Sequence, residues 1–535
     1  MKERLAPLPV LGMALALALI YLAPTLQGEW SALPPRKVFL GFRYMAGDHY
    51  QYAAFIREAR DTGSMLMDNP FTTRPQTPVF LFPFFWVVGM AARLIGGSIP
   101  LAWDLFRAAG AFAYVLVFWR FAALFFARRP ERLAATAVFA FGGGFDWIVT
   151  VLRGTVLPAA RPLEHPITFF WNWSTFGTAL MPNWSWPALV LMAGSAAWLR
   201  GPRGGSWLMA GILPLVWLMH AYTGMVAYLV VGLFPIVPAV VALARLERPA
   251  MDRSLAHLKM ALPGLLSFVM VAAYLEWARQ DDVFRQLSGN GFLWTVRFSL
   301  AWYPLSYGLL LPFALYGIVV VSRERSRAGD FLLAWLAAAV LLSVNPWYAG
   351  VKFQYLVFPP LCVLAVRGFF DLRSSKAGFR RLTRNPVVVV AGLMLLFLNG
   401  PVSLWRDLPR PGVEPIAFAP QADVNAMTWL ASRPQGGVFC HHRTGNYIPW
   451  LAGKNVFSGH WFMTPDYKDT VSLTEAFYKP QTPLEEKRRI LRSSGSHYVY
   501  RGWLESKHGD VDPALGLARI YDQDGVSIWE VPGAR

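Results

Sequence analysis

Clusters of arginine and lysine divide most of this chain into apolar runs, and the stretch between successive clusters is long enough to cross a bilayer out and back. Short basic loops remain on the cytoplasmic side of a membrane, so the clusters predict the orientation of each run. The sequence therefore predicts a multi-pass protein of the bacterial inner membrane with a cytoplasmic N-terminus. The clusters lie at residues 2–4, 128–132, 200–203, 245–253, 323–327 and 367–384.

The composition separates this chain from soluble proteins. Of its 535 residues 55% are hydrophobic, and the mean hydropathy is +0.36, too apolar for a soluble globule and too polar for a chain buried entirely in lipid. The formal net charge of +18 comes mostly from loops that would face anionic lipid, so it does not point to nucleic acid. Cys362 and Cys440 lie far apart in the chain, which argues against a disulfide framework.

The apolar runs predict about eleven crossings, an odd number that places the C-terminus on the side opposite to the N-terminus. The first run is interpreted as an uncleaved signal-anchor helix, because no small-residue cleavage site ends it. The stretch 78–94 is interpreted as re-entrant or interfacial, because a full crossing there would move the cluster at 128–132 outside. The alternative is that 78–94 spans and a later segment does not. The predicted crossings are 6–26, 101–126, 133–151, 184–200, 206–222, 224–244, 258–276, 299–322, 330–346, 352–370 and 386–403.

This arrangement predicts a mainly α-helical protein in two parts, a transmembrane domain over 1–403 and an extracytoplasmic α/β domain over 404–535. The first outside loop is 27–77, and a second, rich in aromatic residues and proline, is 154–183. The tail mixes strand-like and helix-like patterns and is long enough to bury its own core. Strands are predicted at 437–441, 498–500, 518–521 and 526–531, and helices at 423–432 and 483–493.

Asp48 lies in the first outside loop, within the sequence Gly-Asp-His-Tyr-Gln-Tyr that leads into an amphipathic helix. The apolar face of this helix includes Phe55 and Ile56 and is expected to lie on the outer membrane surface. Two interpretations of Asp48 remain open. It is a good N-cap, and Gln51 three residues later completes a capping-box pattern. It is also a carboxylate able to accept a proton from an acceptor hydroxyl.

In its layout the chain resembles the GT-C class of integral-membrane glycosyltransferases, which includes oligosaccharyltransferases, protein O-mannosyltransferases and lipid A aminoarabinose transferases. The resemblance covers about the first 400 residues in layout. In motifs it covers 47–52 and the Met-Asp-Asn-Pro-Phe stretch at 67–71. It implies that Asp48 is catalytic. Class members often carry a second nearby carboxylate, whereas His49 and Tyr50 follow here, so a requirement for a divalent cation, Mg²⁺ or Mn²⁺, is left open.

The resemblance also implies the substrates: a sugar carried on polyprenyl phosphate and an extracytoplasmic acceptor, which is a glycan, a lipid or a protein. A lipid-linked donor agrees with the residues, because no nucleotide-binding signature is present and the predicted site faces away from the cytoplasm. Asp146 and His165 are candidate substrate contacts near the second outside loop. Their alternatives are an interior hydrogen-bonded carboxylate and a solvated loop residue, respectively.

Lys352 and Tyr355 open the tenth predicted crossing on its outer side, where a lysine is unusual. The resemblance implies that Lys352 holds the lipid phosphate, and snorkelling to lipid headgroups is the alternative. Arg74 is a second candidate for the phosphate. His220 ends a predicted crossing, either as a donor contact or as an interfacial anchor.

Glycine, histidine and aromatic residues are concentrated in the tail at 444–449 and 458–465, where turn chemistry explains the glycines and prolines. His441, His442 and His460 would be metal ligands if they converged, but the sequence does not fix them in space. Two other classes of function remain open, a transporter or flippase and a non-catalytic assembly protein. A transporter would favour an internal two-fold repeat, and none is visible.

Overall fold

The computed structural model describes residues 6–30, 37–42, 46–145, 147, 148, 151, 174–201, 205–245, 247, 251–287, 303–346, 350–402 and 417–533. The chain forms two compact units. The helical unit comprises Met1–Leu22, Phe106–Tyr274 and Trp294–Leu408, and the mixed unit comprises Ala23–Leu105, Leu275–Leu293 and Pro409–Arg535.

Three helices contribute residues to both units: α1 (Leu8–Trp30), α4 (Ile99–Ala122) and α12 (Phe268–Ala278). A 3₁₀ helix, Gly350–Leu356, lies in the helical unit. The other described helices of the helical unit are α5 (Arg129–Phe141), α6 (Thr175–Leu180), α7 (Pro182–Arg200), α8 (Gly205–Met219), α9 (Ala221–Leu233), α10 (Val237–Ala244), α11 (Met251–Leu266), α14 (Tyr303–Tyr307), α15 (Leu310–Glu324), α16 (Arg327–Ser343), α17 (Phe358–Ser375), α18 (Ala377–Leu382) and α19 (Pro386–Phe397).

Glycines allow two of these helices to pack backbone against backbone. A Cβ on Gly317 of α15 would lie 2.0 Å from the carbonyl oxygen of Leu364, and one on Gly368 of α17 would lie 2.1 Å from that of Phe313. Small residues at such contacts are typical of helices packed within a membrane, where backbone approach replaces the hydrophobic effect as the source of stability. The pair α15–α17 therefore forms a tight centre of the helical unit.

Two described helical stretches, Ile99–Ala122 and Met251–Ala278, are each long and apolar enough to cross a membrane. Two bent pairs qualify if each pair is counted as one span: α9 with α10, bent by 60°, and the 3₁₀ helix with α17, bent by 48°. The prediction of a mainly helical protein with membrane-type segments is confirmed, and the number of crossings stays a prediction. Helix α3, Pro83–Leu94, has 12 residues. It is therefore about 18 Å long, which favours the non-spanning interpretation of 78–94.

The mixed unit is built from three separate stretches of the chain. Strand β1 (Lys37–Phe39) pairs antiparallel with β4 (Phe418–Pro420), and β2 (Leu66–Met67) pairs antiparallel with β3 (Phe80–Leu81). A four-stranded sheet has the order β5 (Val438–Phe439), β6 (Tyr498–Arg501), β8 (Val526–Glu530) and β7 (Ala518–Gln523), with β5 parallel to β6 and the other pairs antiparallel. The remaining described helices of the mixed unit are α2 (Ala46–Thr62), α3, α13 (Asp282–Leu287), α20 (Gln421–Ala431), α21 (Ile448–Ala452), α22 (Tyr467–Tyr478) and α23 (Leu484–Ser493).

Each of the four strands and two helices that the sequence predicts in the tail is present, as β5, β6, β7, β8, α20 and α23, whereas β4, α21 and α22 are not predicted. Phe439, Val499 and Trp529 on the sheet pack with Phe477 and Tyr478 of α22 in one buried cluster.

The apolar face of α2 does not lie against the membrane as expected. Phe55, Ile56 and Ala59 are fully buried within the protein. The ring of Phe55 lies 6.2 Å from that of Phe85, and a Cβ on Gly89 of α3 would lie 2.8 Å from the Cβ of Ala59. The membrane-surface prediction for this face is therefore wrong, because α3 covers it.

Candidate active site

Asp48 lies in the first turn of α2, which begins at Ala46. The helix thus starts before Asp48, and the carboxylate is not at the N-cap position that the capping-box interpretation requires. The positive end of the helix still favours a negative charge there. Oδ1 of Asp48 lies 3.1 Å from Nε2 of His460. The side chain of Asp48 is 23% exposed, and that of His460 is 4% exposed. A carboxylate that is largely buried, paired and still reachable is suited to proton transfer.

The loop that carries His460 is fixed by its own hydrogen bonds. The backbone N–H groups of Met463 and Thr464 donate to the carbonyl of His460, at 3.0 and 2.9 Å, and the N–H of Gly459 donates to Oγ1 of Thr464 at 3.0 Å. A Cβ on Gly459 would lie 2.7 Å from both Cδ1 of Phe71 and the carbonyl oxygen of Gly445. Only glycine fits at that position, so this residue sets how closely the loop approaches its neighbours.

The 67–71 stretch meets this loop. Nδ2 of Asn69 donates to the carbonyl of Met463 at 2.7 Å, and the N–H of Val456 donates to the carbonyl of Pro70 at 2.9 Å. The ring of Phe71 lies 6.0 Å from that of His460. The first-loop motif and the histidine loop of the tail therefore form one structure around Asp48 and His460.

Arg57 anchors α2 to the tail. Its Nη1 donates to the carbonyls of Trp450 and Leu451 at the end of α21, at 2.9 and 2.7 Å. A cation at the C-terminal end of a helix interacts favourably with its dipole. About two turns earlier on α2, the ring of Tyr50 stacks on that of Trp450 at 5.8 Å with an angle of 3°. These contacts hold the helix that presents Asp48.

Two further carboxylates in the mixed unit have perturbed acidity. Burial raises the pKa of Glu58 to about 7, although its Oε1 accepts the N–H of Asp68 at 2.7 Å. Burial also raises the pKa of Glu505 to about 7. Its two carboxylate oxygens accept the N–H groups of His441 and Gly502, which makes Glu505 a brace for the backbone of the tail.

Arg74 is already engaged with protein partners. Its Nη2 forms an ion pair with Oδ2 of Asp466 at 2.7 Å, and its Nη1 donates to Oε1 of Gln286 at 2.6 Å. An arginine paired in this way has part of its charge neutralised, which weakens it as a ligand for phosphate.

The helical unit brings together three of the residues singled out by the sequence. The hydroxyl of Tyr355 lies 3.0 Å from Nδ1 of His220, and the same nitrogen lies 2.9 Å from Oγ1 of Thr223. Nζ of Lys352 lies 4.8 Å from the ring centre of Tyr222, a cation–π distance, and the rings of Tyr222 and His220 are 5.4 Å apart. His220, Lys352 and Tyr355 thus belong to one cluster of polar and aromatic side chains.

Sequence reasoning missed Thr223, Tyr222 and Trp184 in this cluster. The ring of Trp184 stacks on that of Tyr355 at 5.3 Å. In the sequence, these residues are indicated only by the polar groups of His220, Tyr222 and Thr223, which lie between two apolar runs. Asp146 and His165 lie outside the described residues.

Among the described residues around Asp48, the ligands for a divalent cation are few. Asp48 and His460 supply one carboxylate and one imidazole, whereas Mg²⁺ takes near-octahedral oxygen ligands, several of them water. The described part of this site does not complete such a ligand set. Elsewhere in the described ranges, three side chains of metal-ligand type converge: His441, His442 and Glu475.

Comparison with solved structures identifies the fold. The archaeal oligosaccharyltransferase AglB from Archaeoglobus fulgidus, in complex with an inhibitory peptide and a dolichol-phosphate, matches with a TM-score of 0.56 and 13% identity over 97% of this chain and 74% of that one. A second structure of the same protein, in complex with Zn and sulfate, matches with a TM-score of 0.55 and 13% identity, covering 97% of this chain and 73% of that chain.

The arabinofuranosyltransferase AftD from Mycobacteria matches with a TM-score of 0.53 and 16% identity over 96% of this chain and 40% of that one. No protein-family profile and no curated protein matches the chain. The fold is that of the GT-C class of membrane glycosyltransferases, as the layout of the sequence predicted.

Proposed function

We propose that this chain is an inverting membrane glycosyltransferase that moves a sugar from a polyprenyl-phosphate carrier to an extracytoplasmic acceptor, with Asp48 as the base. The observation that carries the proposal is the Asp48–His460 pair, at 3.1 Å, in a chain with the GT-C fold. The first-loop carboxylate that the resemblance implied is thus partly buried and held by a histidine from the other end of the mixed unit. The dolichol-phosphate bound to the archaeal oligosaccharyltransferase supports a lipid-linked donor.

The proposed reaction uses Asp48 to remove the proton from an acceptor hydroxyl. The acceptor oxygen forms a bond to the anomeric carbon of the sugar as the bond from that carbon to the phosphate oxygen breaks, and the carrier phosphate leaves with the electron pair. Attack from the face opposite the leaving group inverts the anomeric configuration. A base held within reach of the acceptor contributes typically about 10²–10⁴-fold to such a rate.

His460 acts as a positioning residue in this scheme. Its Nε2–H donates to Oδ1 of Asp48, which fixes the orientation of the carboxylate. The hydrogen bonds within its loop hold the imidazole in turn.

The cluster of Lys352, His220 and Tyr355 is proposed to bind the phosphate of the donor. Lys352 supplies the charge, and the Tyr355 hydroxyl and the His220 ring supply hydrogen-bonding groups. Charge-assisted hydrogen bonds to phosphate are among the stronger polar contacts in proteins, and they would stabilise the charge that builds on the departing phosphate. Arg74, Asp146 and His165 are the further proposed substrate contacts.

The proposal includes a membrane arrangement in which the first outside loop, 27–77, and the tail, 404–535, lie outside the cytoplasm of a bacterium. The two long apolar stretches and the bent pairs support a membrane location. About eleven crossings remain the predicted number.

The function is tested with the full chain reconstituted in liposomes together with a panel of polyprenyl-phosphate sugars and an acceptor mixture. Release of free polyprenyl phosphate with inversion at the transferred sugar is the expected result. Movement of solute across the vesicle without turnover of any lipid-linked sugar would instead identify a transporter and contradict the proposal.

A further inference from the structure

The tail carries a second cluster of ligand-type side chains that the proposed reaction does not use. His441 and His442 follow strand β5, and Glu475 lies on α22. One potential ligand atom from each of the three residues lies within 4.8 Å of the other two. The three side chains are buried or partly buried, so this is not a chance grouping of exposed acidic residues.

His441 is held firmly by its surroundings. Its N–H donates to Oε1 of the buried Glu505 at 2.9 Å, and its carbonyl accepts the N–H of Gly445 at 2.9 Å. Its ring stacks on that of His508 at 4.7 Å with an angle of 23°. A preorganised imidazole of this kind loses little freedom when it binds a ligand.

His442 provides an independent indication of a ligand. Its Nδ1 atom is buried and has no hydrogen-bond partner among the described residues. A buried polar atom without a partner is uncommon in folded proteins, because the desolvation cost is not recovered. The ring lies 4.1 Å from that of His441, so the unsatisfied nitrogen belongs to the same cluster.

Imidazole binds metals in its neutral form, which is the main form of histidine near pH 7 at its ordinary pKa of about 6.5. Metal binding requires neutral imidazole and ionised carboxylate.

We propose that His441, His442 and Glu475 bind a transition-metal ion of the zinc class. Two imidazoles and one carboxylate are a ligand set that suits Zn²⁺, whereas Mg²⁺ and Ca²⁺ prefer oxygen ligands. Zn–N and Zn–O bonds of about 2.0–2.2 Å place tetrahedral ligand atoms roughly 3.4 Å apart, so the cluster closes by about 1.4 Å at most. Side-chain rotation supplies that movement, and water or His508 takes the fourth position.

The geometry also indicates what the ion displaces. Nδ1 of His441 accepts a long hydrogen bond, 3.3 Å, from the N–H of Arg443. Binding through Nδ1 takes that lone pair, and binding through Nε2 moves the proton to Nδ1, so either mode breaks this weak contact. The bound ion would join the end of β5 to α22 and thereby stabilise the tail, independently of Asp48.

The test uses the full-length protein in detergent with no polyhistidine tag, stripped with a chelator and dialysed. Zn²⁺ is then titrated, the bound metal is measured by elemental analysis, and Co²⁺ serves as a spectroscopic probe. The expected result is one equivalent of tightly bound Zn²⁺ and an intense four-coordinate Co²⁺ spectrum. Zn²⁺ that binds the folded state is also expected to raise the melting temperature.

Glu475→Gln and His442→Asn are expected to lower the affinity for Zn²⁺ more than about 100-fold, since loss of an outer partner alone costs about 10- to 100-fold. The matched control is Glu486→Gln, which replaces a partly exposed glutamate of α23 that pairs with Arg489. Asp48→Asn is expected to retain the ion, which separates this site from the proposed catalytic one.

The melting temperatures of the variants in chelator show whether they fold, and they are expected to match that of the wild-type protein in chelator. Wild-type protein that binds no Zn²⁺, or a Glu475→Gln variant that binds it as tightly as Glu486→Gln does, would overturn the proposal. Loss of the ion in Asp48→Asn together with its retention in Glu475→Gln would also overturn it.

Discussion

Nε2 of His460 lies 3.1 Å from Oδ1 of Asp48, although the two residues are 412 positions apart in the chain. The contact depends on two local structures: the first turn of α2, and a loop whose carbonyl and hydroxyl groups are occupied by its own N–H groups. Because each partner is held by its own element, the hydrogen bond can orient the carboxylate without help from a substrate.

Replacing His460 tests this relationship. His460→Ala is expected to lower kcat by about 10- to 100-fold, because a misplaced catalytic group costs this much even without loss of chemistry. KM for the donor is expected to change little.

His460→Gln retains a donor group and is the matched comparison for His460→Ala. Partial recovery of kcat in His460→Gln is the expected outcome. If His460→Ala loses stability but keeps the wild-type kcat, the histidine has only a structural role.

Lys352→Met tests the phosphate cluster. Removing a buried, hydrogen-bonded charge contact typically costs about 2–5 kcal/mol in binding. Donor-lipid affinity, measured by titration in detergent, is therefore expected to fall by more than about tenfold, with turnover reduced as well. Arg74→Gln is the comparison variant for the second phosphate candidate, whose guanidinium is paired with Asp466. An unchanged affinity in Lys352→Met would leave this lysine as a lipid-headgroup contact.

The buried carboxylate of Glu58 makes a prediction about pH and stability. Burial raises its pKa from 4.5 to about 7, so the folded protein binds the proton more tightly than the unfolded chain does. Its contribution to stability is therefore greatest below pH 4.5 and is lost as the pH rises through about 7.

Glu58→Gln removes this dependence and is expected to be more stable than wild type at pH 8, by about 3 kcal/mol at most. The amide oxygen of the glutamine can still accept the N–H of Asp68. Thermal melts at pH 5 and pH 8 provide the measurement. A stability difference that is equal at both pH values would show that Glu58 is not the titrating group.

Reporter fusions test the topology. A reporter fused after Arg132 is expected to report the cytoplasm, and one fused after Arg535 the opposite side, because the basic clusters orient the chain. Helix α3 has 12 residues, too few for a full crossing. A fusion after Arg132 that reports the outside would mean that 78–94 spans, and the later loops would change sides.

The sequence was most informative where a pattern is local. Helix α23 follows from the spacing of its polar and apolar residues, and helix α4 follows from a long apolar run. Strand β4 was missed because it has three residues and its partner, β1, lies near the other end of the chain. No local period indicates such a pair.

The candidate sites show the same limit. Residue types identified Asp48, His220, Lys352 and Tyr355, but not their partners. The sequence offers the three tail histidines as one candidate group of metal ligands. The structure pairs His460 with Asp48 and groups His441 and His442 with Glu475. Contacts of this kind are set by tertiary packing, and no spacing in the sequence reports them.

The central claim is that Asp48 is the base, and the initial rate of sugar transfer by purified Asp48→Asn in liposomes tests it most directly. The matched control is Asp61→Asn, on the same helix and 46% exposed at its side chain. The account predicts a loss of about 10²–10⁴-fold in Asp48→Asn, near wild-type activity in Asp61→Asn and an unchanged melting temperature in both. A rate for Asp48→Asn within a few-fold of wild type would contradict it.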